Sequence, residues 1–302
     1  VVMSFSATDA AFEGFRVVRR HPIVAVAWGL VYLAVYVAMF GLGADKWASL
    51  MAAGEALEQS ANPSMAEFQA LGQTYAGALI WAAPIGLLVG AVLSAAVARS
   101  VLRPDESSWG YLRLGMDEVR VLAVSLIVSL AVGLASGVGM MVVGAAIGFG
   151  AASGQALLIL AGVLLIFAVF ALIVWLAIKF SLAVPMTIDR RKITIVESFA
   201  ATKGHFWSLL GMAVIAIIMS LIVSILGMII GAAADLATGG IQTLARFDGE
   251  GLGQILMQAW PAILVSSIVN AFLAALQLAV LYAPFAAAWN GLRGGQSTDV
   301  FS

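Results

Sequence analysis

Cysteine is missing from all 302 residues. Disulfides, thiolate nucleophiles and cysteine-held metals are therefore excluded in any compartment. Charge is scarce too: Asp, Glu, Lys and Arg together make up 10% of the chain, against 63% hydrophobic residues. Histidine occurs twice, as His21 and His205, with no HExxH pair and no close ligand spacing, so metal catalysis has little to build on. No glycine loop of the nucleotide-binding kind follows a strand pattern, and no serine or threonine sits in a motif that marks an activated nucleophile. Asp117 and Glu118 beside Arg113 and Arg120 imitate an acid/base pair, but ion pairing along a solvated helix face is the plainer reading. The expectation is a non-enzyme with no cofactor, no metal and no nucleic-acid partner.

What the chain has in place of charge is long apolar runs, at a mean hydropathy of +1.06. They are roughly 20 to 30 residues long, which suits helices crossing a hydrocarbon layer about 30 Å thick rather than barrel strands of about ten residues. The spans are expected near 23–43, 76–100, 121–148, 155–179, 207–233 and 257–289. The fold class is then all-α, a polytopic membrane protein of six transmembrane helices in one membrane domain over 1–302. A cleaved signal peptide is not expected, because the first apolar run follows about twenty amphipathic residues and is long enough to be retained as a span.

Positive charge sets the direction. All of the fifteen Lys and Arg except Lys46 and Arg246 fall before the first span, around the second and fourth connections, or at the end. The positive-inside rule puts those segments, and both ends of the chain, in the cytoplasm. Tryptophan agrees: Trp47, Trp81 and Trp260 fall near the outer surface, and Trp109, Trp175, Trp207 and Trp289 near the inner one, with Trp28 slightly deeper.

Similar segments precede spans 1, 3 and 5: FRVVRRHPI, LRLGMDEVR and FAATKGHFW, each starting on an apolar anchor, Phe15, Leu112 or Phe199. In the first, Asp9, Glu13, Arg16 and Arg20 share one helical face and Phe12, Phe15 and Val18 lie away from it. In the second, Trp109, Leu112, Met116 and Val119 form the apolar stripe and Glu106, Arg113, Asp117 and Arg120 the polar one. Ser6 with Asp9, and Thr194 with Glu197, have capping-box spacing, and Pro104-Asp105 marks the remaining helix start. Each unit reads as an amphipathic elbow helix in the headgroup layer followed by a transmembrane hairpin. The three hairpin units cover about 5–100, 101–180 and 181–292, as parallel repeats. Lys203, Gly204 and His205 form the third elbow, with Phe206 and Trp207 as interfacial anchors. The outer segment over about 44–75 reads as two short helices broken at Asn62-Pro63-Ser64.

Within the spans no ionisable residue occupies a middle third, which weighs against ion-driven transport. Small residues form stripes in span 3 (Gly133, Gly137, Gly144, Gly148), span 5 (Ser220, Ser224, Gly227, Gly231) and span 2 (Gly86, Gly90, Ser94). Packing inside one bundle is favoured for them over a dimer face. Asn270 and Gln277 lie seven residues apart in span 6, with Pro284 a further seven on. They either line a polar cavity or bond to neighbouring helices, the commoner outcome.

The segments YLRLGMDEVRVL and PMTIDRRKITIVESFAATKGHFWSLLG resemble those of a group of bacterial six-helix inner-membrane proteins, similar to the membrane domain fused to some glycerophosphodiester phosphodiesterases. The resemblance implies a bacterial cytoplasmic-membrane location and a role linked to lipid or envelope. Nothing resembles the metal-binding catalytic barrel of those enzymes, so that activity is not carried over. The functional expectation is a protein that binds or organises phospholipid, or a membrane partner that is either another protein or a second copy of the chain. Candidate headgroup contacts are Arg16, Arg19, Arg20, Arg113, Arg120, Lys203 and Trp207. The alternative is a passive transporter or channel with a pathway near Asn270 and Gln277.

Overall fold

The computed structural model describes residues 6–60, 62, 64–106, 109–238 and 252–299, and among these it is helical with no strand. Two short helices, α1 (Ala7–Ala11) and α2 (Glu13–Arg20), lead into α3 (Pro22–Leu42). Then come α4 (Ala44–Gln59), α5 (Met65–Leu102), a 3₁₀ turn at Trp109–Tyr111, α6 (Met116–Ser153) and α7 (Ala156–Phe180). Short helices α8 (Ala183–Arg190) and α9 (Ile195–Ala201) precede α10 (Phe206–Thr238) and α11 (Leu252–Asp299). Among the described residues six helices are long and apolar enough to cross a membrane, one at each expected span. Their apolar side chains point outward: Leu164, Phe167 and Phe170 on α7 are all exposed. Such a surface is suited to lipid and not to water. The chain has the build of a multi-pass membrane protein.

The buried core sits at one end, where most of the arginines lie. Val24 and Trp28 of α3 meet Leu93 and Val97 of α5 and Ala275 and Ala279 of α11 there. Ile178, Met186, Leu209 and Met212 tie α7, α8 and α10 together beside Trp289. Helix α11 is the central post. Ala271, Ala275, Ala279 and Ala283, at steps of four, are all fully buried, and these small side chains let backbones approach closely where no water is expelled to drive packing. Gly14 of α2 lies directly on this post: a Cβ there would stand 2.6 Å from the Cα of Val280.

Two helix pairs are antiparallel along their length. Helix α6 returns as α7 through Gly154 at φ 68°, with Gly139 against Val169 and Gly150 against Ile159. Helices α10 and α11 meet at Gly227 against Leu273. The expected first hairpin differs: α3 and α5 touch little, and α3 packs on α11 instead. The alanine post offers α3 a closer approach than α5 does, and Phe272 lies over Gly29.

The segments before the odd-numbered spans also depart from expectation. Helices α1 and α2 do not rest on a surface through Phe12, Phe15 and Val18. Their buried face is Ala10, Ala11, Gly14 and Val17, inserted against α10 and α11, while Phe12 is exposed. The second unit is no amphipathic helix. Pro104-Asp105 makes a turn, Gly110 takes φ 65°, and Gly115 is extended at the start of α6, so the Trp109 to Val119 stripe is never on one helix. In the third, α9 is a helix, but Thr194 does not cap it. Its hydroxyl instead lies 3.0 Å from that of Thr187, and Glu197 pairs with Lys192 at 3.0 Å. A hydrogen bond from its own backbone N–H, helped by Lys192, holds the Glu197 carboxyl below the usual carboxylate range. Phe199, the apolar anchor of this segment, packs edge-on against Phe180 and Trp175.

The outer segment holds one separate helix, α4. Its second half is the start of α5, where Ser64 and Glu67 cap each other reciprocally, and no breaker interrupts the helix before Pro84. At 38 residues, α5 runs about 57 Å at 1.5 Å per residue, well beyond a hydrocarbon layer of about 30 Å. The small-residue stripes separate into two kinds. In span 5, Ser224 and Gly227 face span 6, whereas a Cβ at Gly231 would meet nothing within 4 Å among the described residues. A Cβ at any glycine of the span 3 stripe, or at Gly86 or Gly90 of span 2, would meet nothing beyond its own helix within 4 Å among the described residues. Alanine at Gly133 or Gly144 is therefore expected to change thermal stability in detergent by no more than about 1 kcal/mol, in the stabilising direction through helix propensity. A loss of several kcal/mol would place those glycines in a contact.

Candidate functional site: a basic cleft at the arginine end

The end of α5, the turn at Trp109–Tyr111, the start of α6 and the segment after α8 converge on a cleft of about 430 Å³. Its inner wall is a buried ion pair. Arg99, on the last turn of α5, donates to the carboxylate of Glu118 on α6 and to the carbonyl of Tyr111 at 2.7 Å. Both charged side chains are almost wholly buried, at 2% and 7% exposure, so each depends on the other to offset its lost hydration. The second carboxylate oxygen of Glu118 accepts from the Gly115 N–H at 2.9 Å, closing the first turn of α6. Buried Trp28 holds the turn at Gly110 by donating to its carbonyl at 2.8 Å.

Above this wall lie four more arginines and two carboxylates. Arg103 donates to the Ile188 carbonyl at 2.6 Å and stands 3.8 Å from both Glu106 and Asp117. Arg113 pairs with Glu106 at 2.9 Å, and Arg120 with Asp117 at 2.7 Å. Arg191, at left-handed φ 53° just past α8, approaches Glu106 at 3.9 Å. Asp117 and Glu118, the imitation acid/base pair, are thus both engaged by arginines. Leu114 and Met116 line the mouth and are 90% and 65% exposed.

Comparison with protein families, with curated proteins and with solved structures gives no match. The site is therefore argued from its own geometry. Among the described residues no group of His, Asp and Glu is placed to hold a metal ion.

Of the sequence candidates, the cleft brings together Arg113 and Arg120. Arg16 is engaged elsewhere, between Asp9 and Glu13. Hydrogen bonds first to Asp9 and then to Glu13 raise its affinity for its proton. Arg20 stands 3.8 Å from Glu13, and Arg19 is exposed. Lys203 is exposed on the turn before α10, where Gly204 takes φ 85°. Trp207 is 79% exposed and stacks edge-on against Phe206. These features give the turn before α10 its bend and an outward indole. Trp289 departs from its expected interfacial role: it is buried, donates to Asp189 at 3.0 Å and lies under Arg190. Trp28 is buried as well.

Asn270 and Gln277 do not act together. Gln277 donates to the Ser224 hydroxyl of α10 at 2.6 Å, and Asn270 to the Ser266 carbonyl of its own helix at 2.8 Å. Gln277→Leu is expected to cost about 0.6–1.7 kcal/mol, the range of interhelical side-chain hydrogen bonds in membranes, measured by unfolding in detergent. Arg246, assigned to the outer side, lies outside the described residues.

Sequence reasoning counted Arg99, Arg103 and Arg191 only as markers of sidedness. A signal was present in Arg99, an arginine embedded in the apolar stretch AVLSAAVARSVL. Such a residue needs a buried partner.

Proposed function

We propose that the chain is a non-enzymatic multi-pass protein of a bacterial cytoplasmic membrane that binds or organises phospholipid. In this proposal the arginine end and both ends of the chain face the cytoplasm. The observation that carries the reading is the cleft itself, where arginines outnumber carboxylates and exposed Leu114 and Met116 adjoin them at the mouth. Phosphate oxygens and acyl chains together satisfy such a surface. Exposed Lys203 and Trp207 at the same end add a cation and an interfacial indole. The bacterial location rests on the resemblance of the two quoted segments. Of the three expected units, the second and third keep their hairpins, α6 with α7 and α10 with α11, and short helices precede spans 1 and 5.

Native mass spectrometry in mild detergent tests the reading. The wild-type chain is expected to retain anionic phospholipid. Two cations near a membrane surface are worth about 1 kcal/mol each, so Arg113→Ala with Lys203→Ala should weaken retention roughly 30-fold. Absence of retained lipid from wild type, or equal retention by a monodisperse double variant, would count against specific contacts.

A further inference from the structure

We infer that the cleft is a site for a phosphate monoester carried on a lipid headgroup. This inference rests on the phospholipid reading above and narrows it to one class of headgroup.

Charge balance is the first argument. The buried Arg99–Glu118 pair is closed on itself and forms the wall. What remains is Arg103, Arg113, Arg120 and Arg191 against Glu106 and Asp117, an excess of two positive charges at the cleft surface. At neutral pH a phosphate monoester carries about −1.5 to −2 and offers three acceptor oxygens. A phosphodiester, with one negative charge, would leave the excess half-compensated.

Donor geometry is the second. Glu106 is shared by three arginines, but only Arg113 is within hydrogen-bond distance, at 2.9 Å; Arg103 and Arg191 stand at 3.8 and 3.9 Å. A hydrogen bond needs a shorter approach. Among the described residues Arg191 has no closer polar contact than Glu106, so its planar fork is held over the cleft without a hydrogen bond to them. The left-handed backbone at Arg191 turns the chain back toward Glu106 after α8. A non-glycine residue in that region is a departure that the surrounding structure must maintain. Arginine forks match phosphate oxygens in pairs, and a doubly charged group between Arg103, Arg113 and Arg191 would draw them closer than Glu106 can.

The mouth supplies the third argument and points to a lipid as the source. Leu114 and Met116 are apolar, exposed and beside the arginines. A free anion would leave them uncovered, whereas acyl chains attached to the phosphate would lie across them.

The experiment uses the full chain, delipidated in mild detergent, with phosphatidic acid or phosphatidylglycerol added at equal concentration and bound lipid counted by native mass spectrometry. Phosphatidic acid should be retained about tenfold better. Arg191→Gln with Arg113→Gln, both at exposed side chains, should reduce it to the phosphatidylglycerol level with the chain still monodisperse. Millimolar inorganic phosphate should leave bound phosphatidic acid in place. Equal retention of the two lipids by wild type, or an undiminished preference in the double variant, would overturn the monoester site while leaving the broader phospholipid reading intact. Displacement by inorganic phosphate would overturn the lipid source. Retention of neither lipid would remove both the site and the reading on which it rests.

Discussion

Arg99→Met is expected to destabilise the chain by about 3–5 kcal/mol, because it strands the Glu118 carboxylate in a buried wall. The loss should far exceed that from removing an exposed arginine such as Arg19, where surface charges contribute about 0–1 kcal/mol. Replacing both partners, as Arg99→Met with Glu118→Leu, should recover part of the loss, since an apolar pair avoids the desolvation of both charges. Recovery should stay incomplete because Arg99 also donates to the Tyr111 carbonyl and Glu118 also accepts from the Gly115 N–H. Thermal unfolding in detergent followed by intrinsic tryptophan fluorescence measures all three variants. A single variant within 1 kcal/mol of wild type would show that the pair does not hold α5 to α6.

The second large effect is expected at Gly14. Its Cα lies on the alanine post, and any side chain there is driven into the backbone of Ala279 and Val280. Side-chain collisions in cores cost about 1–3 kcal/mol, and backbone cannot move aside as a rotamer does. Gly14→Val should therefore cost about 3 kcal/mol or more and detach α1 and α2 from α10 and α11. Limited proteolysis within residues 6–20 reads the detachment directly, with the equally sized Gly133→Val as the control in open space. If the two variants resist protease equally, α2 is not seated on α11.

These outcomes show where the sequence was informative. The six spans were legible because each needs about 20 apolar residues in succession, a signal no neighbouring helix alters. Asp9, Glu13 and Arg16 were legible as a local pairing for the same reason: their spacing fixes it. The Arg99–Glu118 pair was not, since it joins residues 19 apart across a turn whose path depends on Gly110 at φ 65°. Helical spacing read through that turn produced an elbow helix that two glycines break. Small-residue stripes gave the same signal in spans 3 and 5, yet among the described residues only the latter meets another helix, at Ser224 and Gly227. Periodicity says which residues share a face, not what that face meets. In span 6 the amides drew notice, while the packing is done by alanines at steps of four.

The central claim is that the basic cleft opens on the cytoplasmic leaflet. A chain without cysteine permits a direct measurement: a single cysteine at exposed Lys203 or at exposed Glu55 on α4, labelled by a membrane-impermeant thiol reagent in intact cells. The account predicts labelling of Glu55→Cys in intact cells, and of Lys203→Cys only after the membrane is opened. Labelling of Lys203→Cys in intact cells with Glu55→Cys protected would contradict it.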